Sequence, residues 1–507
     1  MAIFKKKFYF MYSIPPYAYC DFFDKGDLLT LAKTNRYFVN CILPKASPEI
    51  TIDHDELHLG VKWVGLFPKV RLVVNLFKRS AFPDNFQEMI NPISLNVTSL
   101  NCANDYEGWG LFEIRNFSHL TRLQSLSMRA CRFDKVSQNS DLYHFTQLKN
   151  LDLSYHFFVQ GTTVRKFTNL EHLNLDCNSV IKALDLEYLH ECLTSLSLAG
   201  NSTIDPLVLP KLKLLSLNLE SNTTVTADIL RECRTIKELC ISYDTILPLK
   251  YLTALTLLEK LSIKSACSMA PSVKMVQFNL AEMSLLTSLT NLVIHDDSKK
   301  LNITNLSLLV SLKRLKIYPS YQFKPNFQNI QDFELAHLIN LTDLTIASDK
   351  MKGDCFKHLT QLTNLKVNGV KFNSSNLKYL VKLKYLSATD CDLDELNITE
   401  LTSLVSLEIR CWFKSIITGV NTNLQSLAIY IYGTNYSGGI IDDKLISKLV
   451  RLRKLVMHIN NVITLPCLLS LTDLVFVSLP RAKRFNQKKN KKALAMLLKN
   501  GVDFEIY

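Results

Sequence analysis

The stretch Leu193–Ile204, LTSLSLAGNSTI, places Leu193, Leu196, Leu198 and Asn201 at relative positions 0, 3, 5 and 8. Leu196 and Leu198 are two apart, so on a β-strand both point to one face. Leu193 and Asn201 fall where the chain turns at either end. There the Asn side chain can hydrogen-bond backbone groups that a turn leaves unpaired. One such unit cannot bury its own leucines, so it needs a copy stacked on each side.

The copies are present. Leu170, Leu173, Leu175 and Asn178 repeat the pattern, as do Leu214, Leu217, Leu219 and Asn222. Further copies begin at Leu123, Leu148, Ile236, Leu258, Leu289, Leu312, Leu341, Leu362, Leu383, Leu404, Leu424, Leu452 and Leu471, with weaker ones near Phe67 and Ile90. Over roughly four fifths of its length the chain resembles the leucine-rich-repeat family. That resemblance implies an α/β solenoid of about 16–18 repeats, curved, with a parallel β-sheet on its concave face. A solenoid is quasi-one-dimensional, so 507 residues need not divide into compact domains.

Residues 13–45 break the pattern. Pro15 suits a helix start, and Asp27 can cap a second helix in which Leu28, Leu31 and Ala32 share a face. Asn35–Val39 opens a third short helix, which Pro44 stops. Pro15, Asp27-Leu28-Leu29, Ala32, Thr34-Asn35-Arg36 and Phe38 resemble the F-box. The family is a small helical module that docks the adaptor subunit of SCF-type ubiquitin ligases. The resemblance implies that Ile14, Pro15, Leu28, Leu29 and Leu31 face that adaptor. In place of the family's Leu-Pro and acidic-aliphatic run stand Ile14-Pro15-Pro16 and Tyr17-Ala18-Tyr19-Cys20. The alternative is a helical cap sealing the hydrophobic end of the first repeat.

The expected organisation is a tail at 1–12, the helical module at 13–45, a linker or cap at 46–66, the solenoid at 67–480 and a basic cap at 481–507. Most repeat spacings lie near 21–25 residues, but those following Leu258, Leu312 and Leu424 are longer. The extra residues, marked by Pro271, Pro319, Pro325 and Gly433–Gly439, read as loops. Between strands the composition supports one short helical or irregular turn per repeat. Arg481–Lys492 holds seven basic residues and no acid. It continues into an amphipathic helix ending near Gly501, then alternates like a closing strand over Val502–Tyr507. A polar end-cap suits a solenoid, and a nuclear-localisation or nucleic-acid patch is the competing reading.

The net charge of +13 favours acidic partners in general, but it is spread thinly and makes nucleic acid an unlikely target. The 13 cysteines form no C-x-x-C pair, which gives zinc no support. Scattered free thiols suit a reducing, cytoplasmic or nuclear compartment. Cys131 and Cys391 stand at the repeat's Asn position and read as small buried residues. No run of about 18 apolar residues suggests a membrane span. Lys5–Lys7 before Phe8–Tyr12 has the shape of a signal peptide, cut short by Pro15 and Pro16.

Catalytic motifs are missing: no G-x-S-x-G, no G-x-x-x-x-G-K-[ST], no H-E-x-x-H. The expectation is a non-enzyme with no cofactor and no metal. Residues at relative positions 2, 4 and 6 of each repeat point away from the leucines, and neighbouring strands array them into a binding face. The expected partner-contact residues are Lys260, Lys264, His295, Arg314, Lys316, Tyr318, Tyr385 and Tyr430. The repeats starting at Leu258, Leu289 and Leu312 carry four fixed positive charges there and no acid. Such a group suits an acidic or phosphorylated protein segment, or is simply a solvated basic face. The reading is a substrate receptor of an SCF-type ligase. The alternatives are a scaffold or sensor without a ligase link, and a secreted or surface adhesion protein.

Overall fold

A computed structural model describes residues 45–76, 86–102, 111–112, 114–133, 139–242, 249–264, 276–295, 301–318, 330–348, 350–369, 374–391, 395–411, 416–419, 421–431, 441–458, 463–480 and 488–506, with 26, 28 and 42. Most of the F-box-like segment, including Ile14, Pro15, Leu29 and Leu31, lies outside these residues, as do the loop markers Pro271, Pro319, Pro325 and Gly433–Gly439. Leu28 is described and is fully buried.

The chain forms two compact units, Met1–Ile236 and Lys237–Tyr507, a boundary that the repeat pattern does not mark. In the first, eight parallel strands among the described residues run from Glu49–Asp53 to Ser216–Leu219. In the second, twelve parallel strands run from Glu238–Ser242 to Asp503–Ile506. Each is one rung of a leucine-rich-repeat solenoid. The leucines line up in register: Leu151 opposes Leu173, which opposes Leu196. Leu315 opposes Leu344, which opposes Leu365. All are at most 3% exposed. A buried leucine contributes about 2 kcal/mol, and these contacts come almost wholly from adjacent rungs.

Short turns return the chain between strands, as single α-turns such as Asp332–Ala336 or 3-10 turns such as Leu249–Ala254. The sequence also hid structure. Residues 46–66, expected as a linker or cap, contain the strand Glu49–Asp53 and the helix Leu57–Leu66, with Trp63 buried. The signal was present as strict alternation, since Ile50 and Ile52 point inward while Glu49, Thr51 and Asp53 are exposed. The weak repeats near Phe67 and Ile90 resolve into the strands Arg71–Asn75 and Val97–Asn101. The last rung starts at Leu474, not Leu471, because Phe476 pairs with Lys454. The end of the chain folds as expected: a helix Lys488–Lys499, Gly501 at φ +82°, and Asp503–Ile506 beside Phe476–Leu479.

Buried polar side chains stitch the first unit together. The Asn201 Nδ2 donates to Leu175 O and Asn178 O, both at 2.8 Å, in the rung before it. Its Oδ1 accepts from the backbone N–H of Thr203 and Ile204. Asn178 and Asn222 repeat the arrangement. His156 holds the same place one rung earlier, and its Nδ1 accepts from Phe158 N and Val159 N as an Asn oxygen would. Cys131 substitutes more weakly, its thiol donating to Cys102 O. The residue before each site is left-handed: Ala130, Tyr155, Cys177, Gly200 and Ser221 have φ between 52° and 59°. The four that are not glycine carry backbone strain there to aim the buried side chain.

Two outcomes follow. Asn201→Ala leaves two carbonyls and two N–H groups unpaired in the interior. It lowers stability by about 3 kcal/mol, measured by urea denaturation, and Asn201→Asp is no milder because it removes both donors. Burial holds the His156 imidazole down to about 4. Between about pH 6.5 and that value the unfolded chain takes up a proton that the fold refuses. Stability is therefore complete above about pH 6.5 and falls by roughly 3 kcal/mol as the pH drops to 4. His156→Asn flattens this slope in a pH series of thermal melts.

Candidate protein-binding face

The strand face opposite the leucines differs between the units. In the first it is short and polar. One row, in register across the eight strands, reads Asp53, Asn75, Asn101, Ser127, Asp152, Asn174, Ser197 and Asn218. These side chains bind one another: Asn75 Nδ2 donates to Asp53 Oδ1 at 3.0 Å, Ser127 Oγ to Asp152 at 3.1 Å, and Asn218 Nδ2 to Ser197 Oγ at 2.9 Å. Over the strands from Ser125–Ser127 to Ser195–Ser197 lies an open depression of about 210 Å³ that includes His172. Asp176 accepts from Ser197 Oγ at 2.5 Å and Ala199 N at 2.7 Å. Partial burial nevertheless raises its carboxyl above the usual range, with Asp152 and Glu220 adding to the effect.

In the second unit the face is longer-limbed and basic. Lys264, His295 and Tyr318 stand side by side in register at the ends of three strands. The His295 and Tyr318 rings meet edge to face at 4.6 Å. Lys260 and Arg314 share a second row through Asn291. The expected cluster therefore assembles, but with counter-charges from the strands on either side. Glu238 pairs with Lys260. The Asp343 carboxylate lies 3.3 Å from Arg314 Nε and 4.0 Å from Lys316 Nζ. Both acids sit at position 2 of their own repeats, just outside the three repeats of the basic group, and Lys366 sits at position 4 of the repeat from Leu362. Lys366 is exposed, and Thr345 stands between it and Lys316.

Tyr385 and Tyr430 are not part of this cluster. Tyr385 is 52% exposed on a later strand. Tyr430 packs under the Arg410 guanidinium, 4.6 Å from its ring centre, with Glu408 holding Arg410 at 2.6 Å and His458 at 6.5 Å from the tyrosine ring. It forms a second aromatic–cation group.

Among the described residues no group of three His, Cys, Asp or Glu side chains is placed to hold a metal ion, and no helix is long and apolar enough to cross a membrane. Nine of the described cysteines form no disulfide. Burial pushes the Cys131 and Cys233 thiols up to about 12, which keeps them as unreactive packing groups.

Repeated rungs, an inward leucine ladder and buried bridging side chains define the fold as a leucine-rich-repeat solenoid. No protein-family model matches the chain, and no curated protein matches its sequence. Solved structures similar to it include an internalin from Listeria monocytogenes, at 18% identity and TM-score 0.38, covering 80% of this chain and 94% of that one. A leucine-rich-repeat protein from Leptospira interrogans matches at 17% identity and TM-score 0.44, covering 85% and 99%. A chain of the Toll–Spätzle complex from Drosophila matches at 11% identity and TM-score 0.37, covering 86% and 60%.

Asp343 tests how the basic face is held. Its two cations are half-exposed, so Asp343→Asn lowers stability by no more than about 1 kcal/mol in urea denaturation. A larger loss would mean that the acid anchors the strand rather than tempering its neighbours' charge.

Proposed function

We propose that the chain is a non-catalytic receptor, the substrate-recognition subunit of an SCF-type ubiquitin ligase. The helical module at 13–45 holds the adaptor and the strand face holds the target. The observation that carries the receptor part is the registered array of outward side chains, above all Lys264, His295, Arg314, Lys316 and Tyr318. Rigid strands hold these groups at fixed spacing, which keeps the ordering cost of capture low. The ligase part rests on the F-box resemblance of Pro15, Asp27-Leu28-Leu29 and Thr34-Asn35-Arg36. Adaptor contact in this reading falls to Ile14, Pro15, Leu28, Leu29 and Leu31. In this reading the protein performs no chemistry. It raises the effective concentration of target lysines near the ligase. The free, high-pKa thiols agree with a cytoplasmic or nuclear setting.

The test is affinity capture with the intact chain and with a variant carrying Ile14→Asp and Leu31→Asp. The intact chain retains the SCF adaptor and the variant loses it, while both keep their target. An intact chain that brings down target but no adaptor would leave a free-standing scaffold instead. Arg314→Glu with Lys316→Glu weakens target capture at least tenfold; unchanged capture would remove this face from the target site.

A further inference from the structure

The basic face has a regular plan. Three of its lysines stand on alternate strands: Lys264 on Lys260–Lys264, Lys316 on Arg314–Tyr318 and Lys366 on Asn364–Asn368. The strands between them carry no outward lysine or arginine. Asn291–His295 presents Asn291, Val293 and His295; Asp343–Ala347 presents Asp343, Thr345 and Ala347. Thr345 and Ala347 are short, and Ala347 is buried. The strand Asp343–Ala347 is therefore a low floor, walled by Lys316 and Tyr318 on one side and by Lys366 and Asn368 on the other. Asp343 closes one end of that floor and already answers Arg314. Lys316 Nζ, at 4.0 Å from Asp343, is beyond hydrogen-bonding distance and keeps its donors for another anion.

Two strand steps separate Lys316 from Lys366 within one register row, or about 9.6 Å, whereas Lys264 stands in the row of His295 and Tyr318, two residues further along its strand. A β-strand brings side chains back to one face about every 6.7 Å, which does not match. A polyproline-II segment has three residues per turn and a rise of about 3.1 Å, so residues i and i+3 point the same way about 9.3 Å apart. We propose that this trough takes an extended acidic segment of a protein partner, laid across the strands, with two carboxylates three residues apart that meet Lys316 and Lys366. The proposal rests on the strand face being the protein-binding surface, and it specifies the chemistry and spacing of what binds there. Charge complementarity selects the occupant: over the five strands from Lys260–Lys264 to Asn364–Asn368, Asp343 is the sole outward acid against five fixed cations, and among those cations Lys260 is paired with Glu238. The aromatic edge of Tyr318 gives the segment's apolar residues a wall to lie against.

The experiment is fluorescence anisotropy with the full-length chain and three labelled peptides of equal length. The first carries glutamate at every third residue with prolines between. The second has the same composition with the glutamates in one block. The third replaces the glutamates of the first by a single phosphoserine. The spaced peptide binds at least fivefold more tightly than the block peptide, and Lys316→Glu with Lys366→Glu weakens it at least tenfold. Lys454→Glu, on the same face but outside the trough, changes it less than twofold. Thermal melts confirm that the variants fold, and Lys316→Ala with Lys366→Ala replaces the glutamate pair if they do not. Equal binding of spaced and block peptides, equal loss with Lys454→Glu, or binding of the phosphoserine peptide alone would each overturn the proposal. If no peptide binds while Arg314→Glu with Lys316→Glu still weakens target capture, the acidic trough is wrong and the protein-binding face stands.

Discussion

The first unit depends on satisfying backbone groups at the point where each strand gives way to its turn. A parallel strand pairs with its neighbours along its length, but the chain must then bend away and leave carbonyls and N–H groups facing the interior. Asn178, Asn201 and Asn222 meet that need twice over, each bridging two carbonyls of the preceding rung and capping two N–H groups of its own. A side chain with one acceptor and a two-hydrogen donor is the right chemistry for such a site. Because each bond reaches into the previous rung, the bonds also set the distance between rungs. The leucine ladder then has a fixed lattice on which to pack.

Where the sequence departs from asparagine, the same place accepts other solutions. His156 reproduces the acceptor half with Nδ1 and remains neutral because it is buried. Cys131 keeps one donor contact, at 2.7 Å, and burial keeps its thiol protonated. Each is a small local compromise that the neighbouring rungs support. The left-handed residue just before each site is the geometric counterpart. Gly200 adopts it without strain, but Tyr155 and Ser221 do so only because the ladder on either side holds them there.

With the interior so constrained, the outward side chains are left to vary, and they do so by unit. The first unit uses Ser, Asn and Asp, whose short side chains bond laterally to one another. The second uses Lys, Arg, His and Tyr, whose longer side chains stand away from the sheet. Cross-strand neighbours then decide what each charge is worth. Lys260 is neutralised across one strand step and Arg314 across another, while Lys316 and Lys366 flank a threonine. The property of the face lies in these pairings more than in the count of basic residues.

The periodic leucines and asparagines were enough on their own to determine the repeat, most strand positions and the inward and outward faces, because a period of two on a strand and a fixed offset to a turn residue leave few alternatives. Nothing comparable marks the strand Glu49–Asp53, where the only trace is a five-residue alternation ahead of the first good repeat. Spacing alone also cannot show which outward charges answer each other. Glu238 and Lys260 are 22 residues apart, and Arg314 and Asp343 are 29 apart. Only the tertiary structure, by stacking rungs of unequal length into one register, decides that these pairs meet and that Lys316 and Lys366 stand across a common floor. The turns absorb the differences in repeat length, so separation along the chain does not predict separation across the sheet.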